Sequence, residues 1–265
     1  MASTYRYGAI LGILTELPQL TLLLAAVVAV FAGFVKGAVG FGMPLIMISG
    51  LATLLPAEQA LAALIVPTVV TNGYQAFRQG LMAAWQAVTK FRVFLIALLV
   101  CLVLSAQLVT VLSQSTLFIL IGVPVVAFCV MQLSGWKPNL RSEHRRRGET
   151  LIGAFAGLSG GLSGVWGPPT IAYLTAIDTP KAEQMRVQGV IYGVGAVALF
   201  AAHLKSGVLN AQTLPMSILM LLPALIGMAL GGVLHDRMPQ ATFKRVTLIV
   251  LTVAGLNLIR RGLWG

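Results

Sequence analysis

The sequence predicts an all-α polytopic membrane protein built from two pseudo-symmetric repeats, each of four to five hydrophobic segments with a Gly/Pro-broken helix pair. Composition is the first observation: 58% of the 265 residues are hydrophobic, only 9% are charged, and the mean hydropathy is +0.91, far from the balance of a soluble domain. The second is charge spacing. No Asp, Glu, Lys or Arg occurs in 17–35, 37–57, 59–77 or 93–136, nor in 150–177, 187–204, 206–235 or 246–259. A membrane helix needs about 20 apolar residues, so several of these runs hold a pass or more. The third observation is that the chain echoes itself at an offset of 124 residues.

In chain order the first segment covers 18–36 and ends at the small residues around Gly37. The second, 41–55, restarts after Gly40-Phe41-Gly42 with Pro44 in its first turn, where a missing N–H costs nothing. The third, 58–77, follows Pro56 and opens on Glu58, whose carboxylate opposes the dipole of a new helix. Segments 92–112 and 116–134 flank a charge-poor turn around Gln114. The second set reads 151–163, 166–177, 182–203, 213–234 and 243–261, with Pro168-Pro169 and Glu183 in the roles of Pro44 and Glu58. The short second member of each set is either a re-entrant piece or a pass. No basic stretch precedes a short apolar core and cleavage site, so the first run is expected to stay in the mature protein.

At the 124-residue offset Phe31-Ala32-Gly33 meets Phe155-Ala156-Gly157, Gly37 meets Gly161, Gly40 meets Gly164 and Pro44 meets Pro168. That is six identities in fourteen positions, against about one by chance at ordinary residue frequencies. Arg78-Gln79-Gly80-Leu81-Met82 then resembles Lys205-Ser206-Gly207-Val208-Leu209. Small-xxx-small packing accounts for the glycines but not for the flanking Phe-Ala and Pro matches. The domains are therefore a first repeat over 1–134, a basic linker over 135–150 and a second repeat over 151–265. Five passes per half would invert the repeats and four would leave them parallel.

The net charge of +11 does not point to nucleic acid, because the basic residues sit between apolar runs, as in cytoplasmic loops. Lys137, Arg141, Arg145, Arg146 and Arg147 in 134–149 place that loop in the cytoplasm, and Arg78, Lys90 and Arg92 fall on the same side. Cys101 and Cys129 lie inside apolar runs without CxxC or Cys/His spacing, and His144, His203 and His235 are far apart in sequence. No enzyme constellation, metal or cofactor is expected.

Two broken helices at membrane depth would turn backbone N–H groups and positive dipole ends toward one central space, which attracts anions. Gly40, Phe41 and Gly42 mark one break in 36–44, and Ser163, Gly164, Trp166 and Gly167 mark the other in 160–169. Lys36 is flanked by long apolar sequence on both sides. An ammonium at mid-membrane costs about 2.5–3.5 kcal/mol on insertion scales, so it either anchors an anion or snorkels from a segment end. Its counterpart is Gly160, which makes any anchor asymmetric. Thr68, Thr71, Asn72 and Gln75 form a polar stripe, and Arg186, Gln188 and Tyr192 add a guanidinium, an amide and a phenol. Interhelical hydrogen bonding also explains such a stripe, and Trp166 equally suits an interfacial belt. None of the seven carboxylates lies mid-run, so no proton or sodium relay is evident. Outward movement of an anion needs none, since it gains about 2.3 kcal/mol per charge per 100 mV when the interior is negative.

The motifs Gly33-Phe34-Val35-Lys36-Gly37-Ala38-Val39-Gly40-Phe41-Gly42-Met43-Pro44 and Leu158-Ser159-Gly160-Gly161-Leu162-Ser163-Gly164-Val165-Trp166-Gly167-Pro168-Pro169 resemble those of the TauE/SafE family. Thr71-Asn72-Gly73-Tyr74-Gln75 and Lys181-Ala182-Glu183-Gln184-Met185-Arg186 extend the resemblance over nearly the whole chain. It implies a permease of the bacterial cytoplasmic (inner) membrane, surrounded by lipid. The implied cargo is sulfite, sulfoacetate, taurine-derived sulfonates or other small carboxylate-bearing anions. The sequence departs from consecutive glycines at Phe41-Gly42-Met43 and Val165-Trp166-Gly167. An anion exporter is the leading expectation. The alternatives are a channel-like or importing permease for small carboxylates and a non-transporting assembly factor. Small-xxx-small spacing permits a homodimer contact but equally serves packing within the fold.

Overall fold

The computed structural model describes residues 17–78, 80–135, 140, 143, 145–235 and 240–264; Gln79, Lys137, Arg141, His144, Arg237 and everything before Leu17 lie outside the described residues. Among the described residues all regular structure is helical. The first half holds α1 (Gln19–Val39), α2 (Met43–Leu51), α3 (Ala57–Phe77), α4 (Leu81–Lys90), α5 (Arg92–Ala106) and α6 (Gln114–Leu133). The second holds α7 (Arg145–Ser163), α8 (Gly167–Ala176), α9 (Lys181–Ser206), α10 (Leu214–Leu219), α11 (Leu221–His235) and α12 (Gln240–Trp264). α7 thus begins inside the stretch read as a linker. Five helical stretches are long and apolar enough to cross a bilayer, and the pair α4–α5, bent by 83°, makes up to six.

Both breaks are made the same way. α1 ends where Gly40, at φ +83°, donates its N–H to the Lys36 carbonyl at 2.7 Å. α7 ends where Gly164, at φ +72°, donates to the Gly160 carbonyl at 2.7 Å. A residue with a Cβ pays a steric penalty of about 1–2 kcal/mol in that left-handed region, and Pro44 or Pro168-Pro169 then starts the next helix without needing an N–H.

The restarted helices are short. α2 has nine residues and α8 ten, about 14–15 Å at 1.5 Å per residue, half of a hydrocarbon core about 30 Å thick. A Cβ on Gly42 would lie 3.6 Å from Val35, and one on Gly50 would lie 2.7 Å from Val28, so α2 folds back antiparallel to α1. In the second half the Leu140 N–H donates to the Ala176 carbonyl at 2.9 Å, which sets the end of α8 beside the entry to α7. The short segments 41–55 and 166–177 accordingly turn back along the long helices that precede them, toward the ends where those helices began.

The most extensive helix pairs join one half to the other: α1 with α11, α5 with α7, α3 with α9 and α6 with α12. Glycine sets the first two. A Cβ on Gly33 would fall 2.1 Å from the Ala224 carbonyl oxygen and one on Gly37 2.1 Å from that of Met228. On the other side a Cβ on Gly157 would fall 2.2 Å from the Leu98 oxygen and one on Gly161 2.3 Å from that of Leu102. Contacts that climb together along both helices make these pairs parallel. The small-residue stripes are therefore consumed in packing within the chain. The other two pairs run antiparallel: Gly189 packs on Gln75 and Gly193 on Asn72 and Ala76, while Gly122 packs on Gly255 and Gly262 on Ser115.

These directions gather the ends of α3, α6 and α11 and the starts of α5, α7, α9 and α12 at one end of the bundle. Arg78, Lys90, Arg92, Arg145, Arg146, Arg147 and Arg245 belong to that end, and Lys205, Arg260 and Arg261 to the other. The basic residues thus concentrate at the first end, the pattern that the positive-inside rule associates with a cytoplasmic face. Glu183 is the acidic residue in the first turn of α9, and it also holds Lys90 at 2.5 Å, tying α4 to α9.

Further boundaries differ from the sequence expectation. The fourth segment stops at Ala106 instead of 112, and α4 precedes it as a separate helix whose Leu81, Met82 and Trp85 are exposed; a short amphipathic helix lying at an angle leaves no span-length apolar run to detect. The segment 213–234 is likewise divided at Met220 into α10 and α11.

Identical substitutions should act with opposite sign. Gly33→Ala or Gly157→Ala forces a methyl into a backbone carbonyl and should cost about 1–3 kcal/mol. Gly73→Ala in α3 meets nothing within 4 Å and should gain up to about 1 kcal/mol from helix propensity. Thermal unfolding in detergent reads all three.

Candidate functional site

Lys36 sits on the last turn of α1, where Gly33 and Gly37 press that helix against α11 and leave its opposite side facing α3. The lysine is 3% exposed, so its head does not snorkel to an interface. Its ammonium donates to Oδ1 of Asn72, and Asn72 Nδ2 donates to the Tyr192 carbonyl at 3.3 Å. One amide thus bridges α1, α3 and α9, and its two bonds fix which way it points.

Among the described residues no carboxylate answers the ammonium. The one salt bridge among the described residues is Lys90–Glu183, and no Asp or Glu borders either space that Lys36 reaches. An ammonium offers three donors, of which one is used on Asn72.

Lys36 stands between two spaces. The inner one is a chamber of about 30 Å³ between the two breaks, walled by Phe41, Gly42, Asn72, Trp166, Gly167 and Tyr192, with room for about two waters. The N-terminal turns of α2 and α8 close it at Pro44 and Pro168, so two positive helix ends face it. The outer one is a vestibule of about 650 Å³ bounded by Gly40, Thr71, Tyr74, Gln75 and Arg78 and by Met228 and Gly232 of α11. That volume is of the size that holds small ligands. Arg78, at the end of α3, puts its mouth at the basic end of the bundle.

Of the residues singled out by sequence, Lys36, Phe41, Gly42, Asn72, Gly164, Trp166 and Gly167 line the chamber, while Gly40 and Gln75 line the vestibule with Lys36. Trp166 is 2% exposed and therefore lies inside the bundle, not in an interfacial belt. Four others lie apart from both spaces. Thr68 bonds the Leu64 carbonyl at 2.6 Å, and Ser163 bonds that of Ser159 at 2.7 Å; both satisfy their own helix. Arg186 and Gln188, on the first turns of α9, border neither space.

Tyr192, read from sequence as a phenol beside Gln188, forms part of the chamber wall and stands opposite Thr68 in the 124-residue register. Other wall residues were not candidates. Arg78 read as an ordinary loop charge, and Phe128 of α6 carries no local signal at all.

A family model described as Sulfite exporter TauE/SafE matches residues 25–258. A search of curated proteins found no match, and a search of solved structures found none either.

The Lys36–Asn72 pair should behave as a coupled unit in a double-mutant cycle. Asn72→Leu strands the ammonium and should cost about 1–3 kcal/mol of stability, and adding Lys36→Met should restore part of it. Thermal unfolding of the four proteins checks this; losses that simply add would show that the two side chains do not interact.

Proposed function

We propose, from the chain's membership of the TauE/SafE sulfite exporter family, that it exports small sulfur oxyanions such as sulfite, sulfoacetate or other organosulfonates. The family is one of multi-pass membrane transporters, not enzymes. The observation that carries the finer reading is the buried ammonium of Lys36, which among the described residues has no counter-charge in either space that it borders. An anion entering the vestibule supplies the missing charge and takes the unused donors, while the helix ends at Pro44 and Pro168 complete a positive surround without a second formal charge.

The membrane is then the bacterial inner membrane and the vestibule opens to the cytoplasm, where Arg78 raises the local anion concentration. Export follows from energetics. Each negative charge leaving a cell gains about 2.3 kcal/mol per 100 mV, so outward movement needs no coupling ion, and among the described residues no carboxylate lines the route.

We read the halves as inverted copies. α3 and α9 occupy equivalent places and pack antiparallel, as do α6 and α12, whereas α1 and α5 each pair in parallel with a helix of the other half. A two-fold axis in the membrane plane produces that pattern.

The test is sulfite flux in proteoliposomes. The protein should give a saturable current whose sign follows the anion, and Lys36→Met should reduce it by at least about tenfold, the loss of roughly 1.4 kcal/mol that one charged hydrogen bond exceeds. A current that rises linearly without saturation would indicate a channel. Absence of flux from either face, for every sulfur oxyanion tried, would favour the assembly-factor reading.

A further inference from the structure

The polar site belongs to one half only. At the 124-residue offset Lys36 stands opposite Gly160, Gly42 opposite Trp166, Thr71 opposite Gly195, Asn72 opposite Ala196 and Gln75 opposite Leu199. The spatial neighbours keep the same register: a Cβ on Gly40 would lie 3.8 Å from Gln75, and one on Gly164 would lie 3.6 Å from Leu199. So the second half builds a copy of the vestibule wall, but in apolar residues.

That copy is filled. A Cβ on Gly160 would lie 3.0 Å from Cε3 of the Trp166 indole, and one on Gly195 would lie 3.0 Å from its Cε2. The ring thus lies in the slot between α7 and α9, in contact with two positions that have no side chain. Leu64 and Leu199 close over Gly164. Around them the far end is tied by hydrogen bonds: His203 Nε2 donates to the Gly161 carbonyl at 3.0 Å, and Gln107 Nε2 to that of Ala202 at 3.3 Å. In the first half the equivalent slot is the open vestibule.

We propose that Trp166 is the exit gate: its indole blocks, in the second half, the passage that stands open as the vestibule in the first, and the anion at Lys36 leaves only when the ring withdraws from Gly160 and Gly195. This rests on the transport reading above. It gives that reading a path, in from the basic end along α3 and out between α7 and α9. The glycines at 160 and 195 are then a parking slot for the ring, and the tight chamber beside Lys36 is what keeps the two passages from joining.

Thiol labelling tests the gate without any substrate. In a protein with Cys101 and Cys129 replaced by alanine, Val70→Cys marks the vestibule and Leu199→Cys the closed side. A charged methanethiosulfonate reagent added to oriented vesicles should modify Val70→Cys from the basic face and leave Leu199→Cys protected from both faces. Adding Trp166→Ala should speed modification of Leu199→Cys from the opposite face by at least about tenfold, the change expected when a minor open state rises from a per cent or so to a tenth of the population. Trp166→Phe, which keeps an aromatic ring in the slot, should fall between. Unchanged labelling of Val70→Cys in the same preparations shows that the fold survives the change.

Equal labelling of Leu199→Cys with and without Trp166, or labelling from the basic face alone, would overturn the proposal. Protein that labels as expected but carries no sulfite current would instead refute the cargo reading, so the two failures are told apart.

Discussion

The arrangement around Lys36 depends on one constraint: a buried ammonium must be balanced, and among the described residues this chain offers it an amide and no carboxylate. A charge in hydrocarbon surroundings is expensive when unpaired. Asn72 lowers that cost without neutralising the group, and so leaves it receptive. A resident Asp or Glu would have satisfied the lysine permanently and made it a structural strut. An exporter needs the opposite, a site that is tolerable when empty and better when filled, because an anion held too well would not leave. Two half-helix N-termini add positive potential that is fixed in the backbone and needs no further buried charge.

The fold positions that lysine by close packing. Gly33 and Gly37 bring α1 so near to α11 that no side chain fits between them. The last turn of α1 then faces α3, where Asn72 lies. The turn at Gly40 and Gly42 sends the chain back as α2 and aims its N-terminus at the same space. Packing of this kind is stiff, which suits the holding of a small ion. Movement has to come from sliding or rocking of the paired helices, and the inter-half pairs are the natural units for it.

The membrane class was legible because composition and charge spacing are long-range signals that survive any local detail. The breaks were legible too, since glycine and proline mark a stop and a restart by their own backbone geometry, as at Gly40 and Pro44. The apolar sequence on both sides of Lys36 marked it out as a candidate buried charge, and it is buried. Other features were not readable. α4 is short and amphipathic, so it disappears in a window scaled to a bilayer. Arg186 and Gln188 share a helix with Tyr192, yet only Tyr192 reaches the chamber; which way a helix faces is set by its partners, and α9 is oriented by Gly189 and Gly193 against α3. Thr68 and Ser163 looked like ligands in sequence, but each returns its hydroxyl to its own helix, a local competition that periodicity does not reveal. Phe128 comes from a helix that is distant in sequence, and no spacing announces it.

The central claim is that Lys36 is the anion's counter-charge, and equilibrium binding tests it more directly than flux does. Calorimetric titration of sulfite into the purified protein in detergent should show one saturable site per chain, with affinity at least about tenfold weaker in Lys36→Met, since a charge-assisted hydrogen bond contributes about 1.5–3 kcal/mol. Sulfite that binds Lys36→Met as tightly as the unaltered protein would contradict the account, because the anion would then be held by something other than the one buried cation between the two breaks.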